Sequence, residues 1–262
     1  MENLTANRLD WSRDQPLLAR WYAAPVGRAV LRHTRQRLEE QLPKVFGHRA
    51  LQVGALGPDG QLLDDTATLR RLVLDPRGAA VGADVVGDAQ QLPFADNSLH
   101  VVYLPHTLDY CDVPHQVLRE ANRVLTDDGF LVLMGFNLWS AWGARRALFQ
   151  WRKGMPWRGH FFSASRVVDW LSVLDFNVLE RVGVGPASVY GTLPAGSRVR
   201  RGVRALRELG APVYVLLARK QSIPLNPAHL ERARQRGRKA VVAGAFAHHS
   251  SDRSARSQDP TA

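Results

Sequence analysis

Between residues 49 and 137 the chain repeats one pattern. A short strand-like run with an apolar centre alternates with polar turns and helix-like stretches. The runs are RALQVGALG, RRLVLDP, LHVVYLPH and GFLVLMGFN. A strand with one wet face alternates apolar and polar residues, whereas a run that is apolar throughout is buried on both faces, as in a parallel sheet covered by helices. Between the last two runs lies DVPHQVLREANRVL, in which Val113, Val117, Leu118, Ala121, Val124 and Leu125 share one helical face. Asp112 is placed to cap this helix, and Pro114 is tolerated in its first turn. Strand–helix alternation implies a parallel sheet with right-handed crossovers and helices on both faces. Ligands of such sheets bind beyond the carboxyl ends of the strands. That rule directs attention to Gly54 and Gly57, Asp75, Asp88 and the loop that starts at Pro105.

The flanking segments are of other kinds. Residues 16–42 carry apolar side chains at helical spacing, interrupted by Pro25 and Gly27, so two helices are expected, the second over 28–42 and closed by Pro43. A short strand is expected near 84–86. Beyond Asn137 the chain holds Trp139, Trp142, Trp151 and Trp157 among Arg145, Arg146, Arg152, Lys153 and Arg158. Two readings of this stretch stay open: amphipathic helices covering the sheet with arginines snorkelling outward, or a lid over an apolar or aromatic substrate, or over a membrane surface. SASRVVDWLSVLDF reads as a helix capped by Ser163 or Ser165, and FNVLERVGVG and PVYVLLARK as a closing antiparallel pair. The basic stretch 190–210 reads as a helical insertion between them.

The net charge of +11 invites a nucleic-acid reading, but its distribution weakens it. From residue 219 to the end there are nine Lys/Arg against three Asp/Glu, so more than half of the excess is in the tail. That tail has no apolar periodicity and is expected to be disordered, serving solubility or a weak attraction to RNA, DNA or anionic lipid. One cysteine, Cys111, excludes a disulfide framework and suggests a reducing, cytoplasmic compartment. No apolar run reaches the roughly 18 residues that span a bilayer, and the N-terminus lacks the apolar core of a secretory signal. His48, His160, His248 and His249 show no metal-ligand spacing, so no metal is expected.

Four consecutive blocks then carry a family resemblance. GDAQQLPFADNS, LHVVYLPHTLDYCDVP, LREANRVLTDDG and GFLVLMGFN stand in the order and spacing of the third strand, fourth strand, helix and fifth strand of class I S-adenosylmethionine-dependent methyltransferases. The chain resembles the type 11 methyltransferase-domain proteins, a group that includes quinone-biosynthesis C-methyltransferases and many bacterial members. The resemblance covers roughly residues 45–140. It implies a Rossmann-like α/β fold with a mostly parallel, twisted seven-stranded sheet, helices on both faces and an antiparallel edge strand. Together with the flanking segments, the chain is expected to divide into an N-terminal helical extension (1–43), a methyltransferase domain (44–220) with lid or insert segments at 138–165 and 190–210, and the basic tail (221–262).

The cofactor implied is S-adenosyl-L-methionine. Asp88 would accept from the adenine amine and the Ala89 N–H would donate to a ring nitrogen. Asp75 would accept from the ribose hydroxyls. Gly54 and Gly57 would let the backbone approach the ligand, and Leu104, Pro105 and His106 would face its methionine part. The first motif departs from the pattern. Gln52 stands where the family has an acid and would still accept a hydrogen bond from the cofactor, without the charge; Leu56 stands where the family has its second glycine, and Gly57 comes one residue late. Either cofactor binding is adapted here, or the turn holds no ligand. His106 and Asp109 are the candidate catalytic residues, since an imidazole titrates near pH 6.5 and can act as a base. Cys111 reads as a small buried filler. The expected function is methyl transfer to a small-molecule acceptor. The alternative is a non-catalytic protein of the same fold that binds RNA or a protein partner through basic surfaces, and neither reading fixes an oligomeric state.

Overall fold

In the computed structural model the described residues are 9–41, 46–56, 67–78, 82–140, 142–143, 156–185 and 210–221. They belong to the unit Met1–Gln221. Gly57, the stretch 190–209, the greater part of the tryptophan- and arginine-rich stretch (144–155) and the tail from 222 lie outside them.

The chain opens with α1 (Trp11–Ala23), whose start is set by Asp10: its carboxylate accepts from the Ser12 N–H at 3.0 Å. The buried residues of α1 are Trp11, Asp14, Gln15, Leu18 and Tyr22, a stripe at helical spacing that is unusually polar. α2 (Pro25–Gln41) follows after one residue and places Val30, Leu31, Thr34 and Leu38 in the core. Gly27 does not break this helix; it lies inside it. An alanine Cβ there would stand 2.2 Å from the Trp21 carbonyl oxygen and 2.5 Å from Tyr22 Cα, so glycine is what allows α2 to meet the end of α1 backbone to backbone.

The seven expected strands all form: β1 (Phe46–Val53), β2 (Ala67–Asp75), β3 (Val85–Val86), β4 (Leu99–Pro105), β5 (Leu125–Phe136), β6 (Phe176–Val184) and β7 (Val213–Lys220). The sheet order is β3-β2-β1-β4-β5-β7-β6. β1 through β5 pair in parallel, and β7 runs antiparallel to both β5 and β6. Strand order runs outward in opposite directions from β1 and β4, the switch point at whose carboxyl ends such sheets bind ligands. Val101–Leu104 and Phe130–Phe136 are buried without interruption, as the continuous apolar runs require.

Two local expectations need correction. α4 (Pro114–Val124) begins at Val113 without a side-chain cap, so Asp112 does not cap it; Pro114, which has no N–H to satisfy, occupies the first helical position. TDDG is also no separate turn: it is absorbed into β5, with Asp128 at φ 63° and a register shift opposite Leu99 to Val101. The capping expectation for α5 (Ala164–Val173) does hold, with Ser163 accepting from Arg166 N–H.

The loop after β3 is fastened from α4, which explains why LPF and LREANR occur together. Glu120 accepts from the Leu92 N–H at 2.9 Å, and Arg123 donates to the carbonyls of Leu92 and Phe94 and to Glu120 and Asp96. Arg123 above all, and the Leu92 amide after it, hold the Glu120 carboxyl below its ordinary 4.5. A depressed carboxylate stabilises the fold above its unfolded pKa and ceases to do so as pH falls through the lower, folded value. Glu120→Gln is therefore expected to cost about 1.5–2 kcal/mol at neutral pH, the scale of a charged hydrogen bond. It should also flatten the loss of stability below pH 4.5, as urea denaturation across pH 3–7 will show.

Candidate active site

At the end of β4 the chain turns sharply. His106 takes the left-handed conformation (φ 59°), unusual for a residue other than glycine, and its N–H is held by the Met134 carbonyl at 2.8 Å. The single helical turn α3 (Thr107–Tyr110) follows. Thr107 donates its hydroxyl to the Val53 carbonyl at 2.9 Å and so ties the β4 turn to the end of β1. Left-handed backbone at a non-glycine residue costs about 1–3 kcal/mol and persists where surrounding bonds hold it. Here they do.

These bonds form a buried chain. His106 Nδ1 lies 2.7 Å from Asp109 Oδ2, the same oxygen accepts from the Phe136 N–H at 2.9 Å, and His106 Nε2 lies 2.6 Å from the Tyr22 hydroxyl. Tyr22, His106 and Asp109 are all fully buried. Burial raises the Tyr22 phenol well above its ordinary 10, with Tyr103, Tyr110 and Asp109 adding to it, so the hydroxyl keeps its proton. A carboxylate only accepts, so the imidazole donates through Nδ1 to Asp109 and presents Nε2 to the Tyr22 hydroxyl. The ring stacks on Phe136 with centroids 3.9 Å apart. Around it Phe136 meets Phe161, and Trp21, Trp142 and Trp157 succeed one another edge to face. From the described end of the stretch after β5, Pro156 accepts from the Tyr110 hydroxyl and the His160 N–H donates to the Asp109 carbonyl. Arg158 reaches the buried carboxylate of Asp14 on α1, at 3.4 Å.

The same sheet edge carries the other expected residues. Gly54 has φ 101°, which glycine alone adopts without strain, and its N–H donates to the Leu74 carbonyl. The space a side chain would occupy there is filled by the Trp11 indole, 2.6 Å from an ideal Cβ. Gln52 is buried and spends its amide N–H on the Gly54 carbonyl at 2.8 Å, and Gln15 donates to the Ala55 carbonyl at 2.6 Å. Asp75 is buried at the end of β2 and accepts from the Arg77 N–H. Asp88 is exposed just beyond β3, accepting from the Gln90 N–H, with Ala89 buried behind it. Leu104 and Pro105 are buried at the end of β4. Burial first, then the carboxylates of Asp88, Asp112 and Asp109, push the Cys111 thiol upward, which keeps it protonated and a poor nucleophile.

The strand order and these positions invite comparison with known proteins. A methyltransferase-domain family model matches residues 68–133. The uncharacterised protein YafS of Escherichia coli is 35% identical over 226 residues, covering 85% of this chain and 90% of its own length. This chain belongs to one family with YafS and carries a methyltransferase domain. Among solved structures, a methyltransferase of Thermotoga maritima superimposes with a TM-score of 0.55 at 20% identity, covering 80% of this chain and 98% of that one. A Haloferax volcanii protein solved with the methyltransferase activator Trm112 gives 0.56 at 16% identity, covering 82% and 99%. Both show the fold.

Sequence reasoning placed Gly54, Asp75, Asp88, Ala89, Leu104, Pro105, His106 and Asp109 of this methyltransferase-fold chain, and the structure brings them to one edge of the sheet. It missed Trp11, Gln15 and Tyr22. The signal was present: Asp10 is a helix cap, and residues 11, 15, 18 and 22 then share a face.

Proposed function

We propose that this chain transfers the methyl group of S-adenosylmethionine to a small, apolar or aromatic acceptor that loses a proton in the reaction. The observation that carries the reading is the buried Tyr22–His106–Asp109 chain beside the glycine turn of β1, joined to it by the Thr107–Val53 bond.

The residues present fit the cofactor. Trp11 Nε1 and Gln15 Oε1, on the helix that packs against the turn, are buried with no hydrogen-bond partner among the described residues. Buried polar atoms without partners are uncommon and point to a missing polar group. Asp75 would hold the ribose, and Asp88 with the Ala89 N–H would hold the adenine. When bound, the cofactor supplies an electrophilic methyl on a sulfonium centre. The chain's own contribution is alignment and removal of a proton. Asp109 fixes the imidazole with Nε2 as its accepting nitrogen, and Tyr22 occupies that nitrogen while no acceptor is present. An acceptor hydroxyl or N–H taking the place of the Tyr22 phenol would give its proton to Nε2. Phe136, Phe161 and the tryptophans around them supply an apolar surround that excludes water.

Calorimetry with S-adenosylmethionine and S-adenosylhomocysteine tests the reading. Binding is expected, and Asp88→Ala should weaken it by about 1–3 kcal/mol, the cost of leaving a polar partner unmet. No heat at millimolar ligand would leave the chain as a binding scaffold on a methyltransferase fold.

A further inference from the structure

We infer that α1 is part of the cofactor site, with Trp11 Nε1 and Gln15 Oε1 holding the amino-acid end of the ligand in place of the acid that the end of β1 lacks. This rests on the proposed reading of the site and adds to it the residues that recognise one end of the ligand.

Three observations converge. The first is a deficit. Gln52 stands where an acid would hold an ammonium group, and its amide is turned to the Gly54 carbonyl. The second is proximity. The Trp11 ring and the Gln15 Cγ are the nearest atoms to the vacant Cβ position of Gly54, at 2.6 and 3.4 Å, and Gln15 is fixed there by its bond to the Ala55 carbonyl. The third is unmet polarity. Trp11 is 5% exposed and Gln15 1%, yet the indole N–H and the amide oxygen have no partner among the described residues. Burying such atoms costs free energy unless a partner arrives.

Their chemistry names the partner. An indole N–H only donates and an amide oxygen only accepts. One donor and one acceptor, four residues apart on the buried side of one helix, match a carboxylate and an ammonium on a single carbon, the zwitterionic end of an amino acid. Bonds to charged groups are the stronger kind, so two neutral side chains suffice to select for that end. The rest of the α1 stripe is occupied otherwise: Asp14 by Arg13 and Arg158, and Tyr22 by His106.

The test pairs a change in the protein with a change in the ligand. Full-length protein and the variants Trp11→Phe and Gln15→Met are titrated with S-adenosylhomocysteine and with 5′-methylthioadenosine, which keeps the adenosine and the sulfur but has no amino-acid end. Thermal melting confirms that each variant is folded. Each variant is expected to bind S-adenosylhomocysteine about tenfold more weakly while its affinity for methylthioadenosine stays within about twofold. Gln15→Glu loses the Ala55 bond as Gln15→Met does but retains an acceptor, and should bind S-adenosylhomocysteine at least as well as the parent. Unchanged S-adenosylhomocysteine binding in the variants, or equal weakening of both ligands, overturns the inference and leaves the cofactor site standing. A parent protein that binds neither ligand overturns both.

Discussion

Asp109→Ala is expected to lower the unfolding free energy by about 3–5 kcal/mol, among the largest losses available to a single side chain in this fold. The carboxylate is fully buried, and one oxygen accepts from both His106 Nδ1 and the Phe136 N–H. Its removal strands two donors that no water reaches, and it leaves His106 in a left-handed turn with one of its anchors gone. Desolvated donors without partners cost about 1–3 kcal/mol each, and the space vacated adds a cavity term. Urea denaturation with an unchanged slope is the measurement; a loss under 1 kcal/mol would mean that the chain of bonds holds nothing. Asp109→Asn separates structure from chemistry. With its oxygen at the Oδ2 position the amide still accepts from both Nδ1 and the Phe136 N–H, but it lacks the charge that would stabilise a protonated imidazole. Most of the stability should return. Methyl transfer to a proton-bearing acceptor should stay depressed by about 10²–10⁴-fold, the range of general-base catalysis.

The contrast between these two variants reflects what could be read from the sequence. Strands β4 and β5 were legible because parallel strands buried on both faces leave continuous apolar runs, and a run such as LHVVYLPH has few other folds open to it. His106 and Asp109 were legible as candidates because they follow such a strand at the ligand edge. Their bond to each other was not, since it depends on a left-handed turn that histidine seldom adopts. Tyr22 lay further out of reach: it meets His106 across 84 residues of chain, a contact set by the docking of α1 and not by any local pattern. Asp112 failed as a cap for a local reason. With Pro114 supplying no N–H at the first helical position, the helix began one residue late, behind Val113.

Gly27→Ala puts the docking of α1 itself to the test, and here two effects of opposite sign compete. Inside a helix, alanine is preferred to glycine by about 0.8–1 kcal/mol, so propensity alone predicts stabilisation. Against it stands a Cβ 2.2 Å from the Trp21 carbonyl oxygen and 2.5 Å from Tyr22 Cα. Both obstacles are backbone, so no rotamer change relieves them; the junction of α1 and α2 must open. Overpacking of this kind costs about 1–3 kcal/mol and sometimes more, and contact with main chain places it at the upper end. A net loss of about 2 kcal/mol is expected, read as a lower urea midpoint. Because Tyr22 is the residue displaced, its 2.6 Å bond to His106 should lengthen and the amides of α1 should exchange faster, while those of β4 and β5 keep their protection. Stabilisation instead would mean that α1 yields without cost. The bond from Tyr22 to His106 would then be an incidental contact and not what fixes the helix over the site.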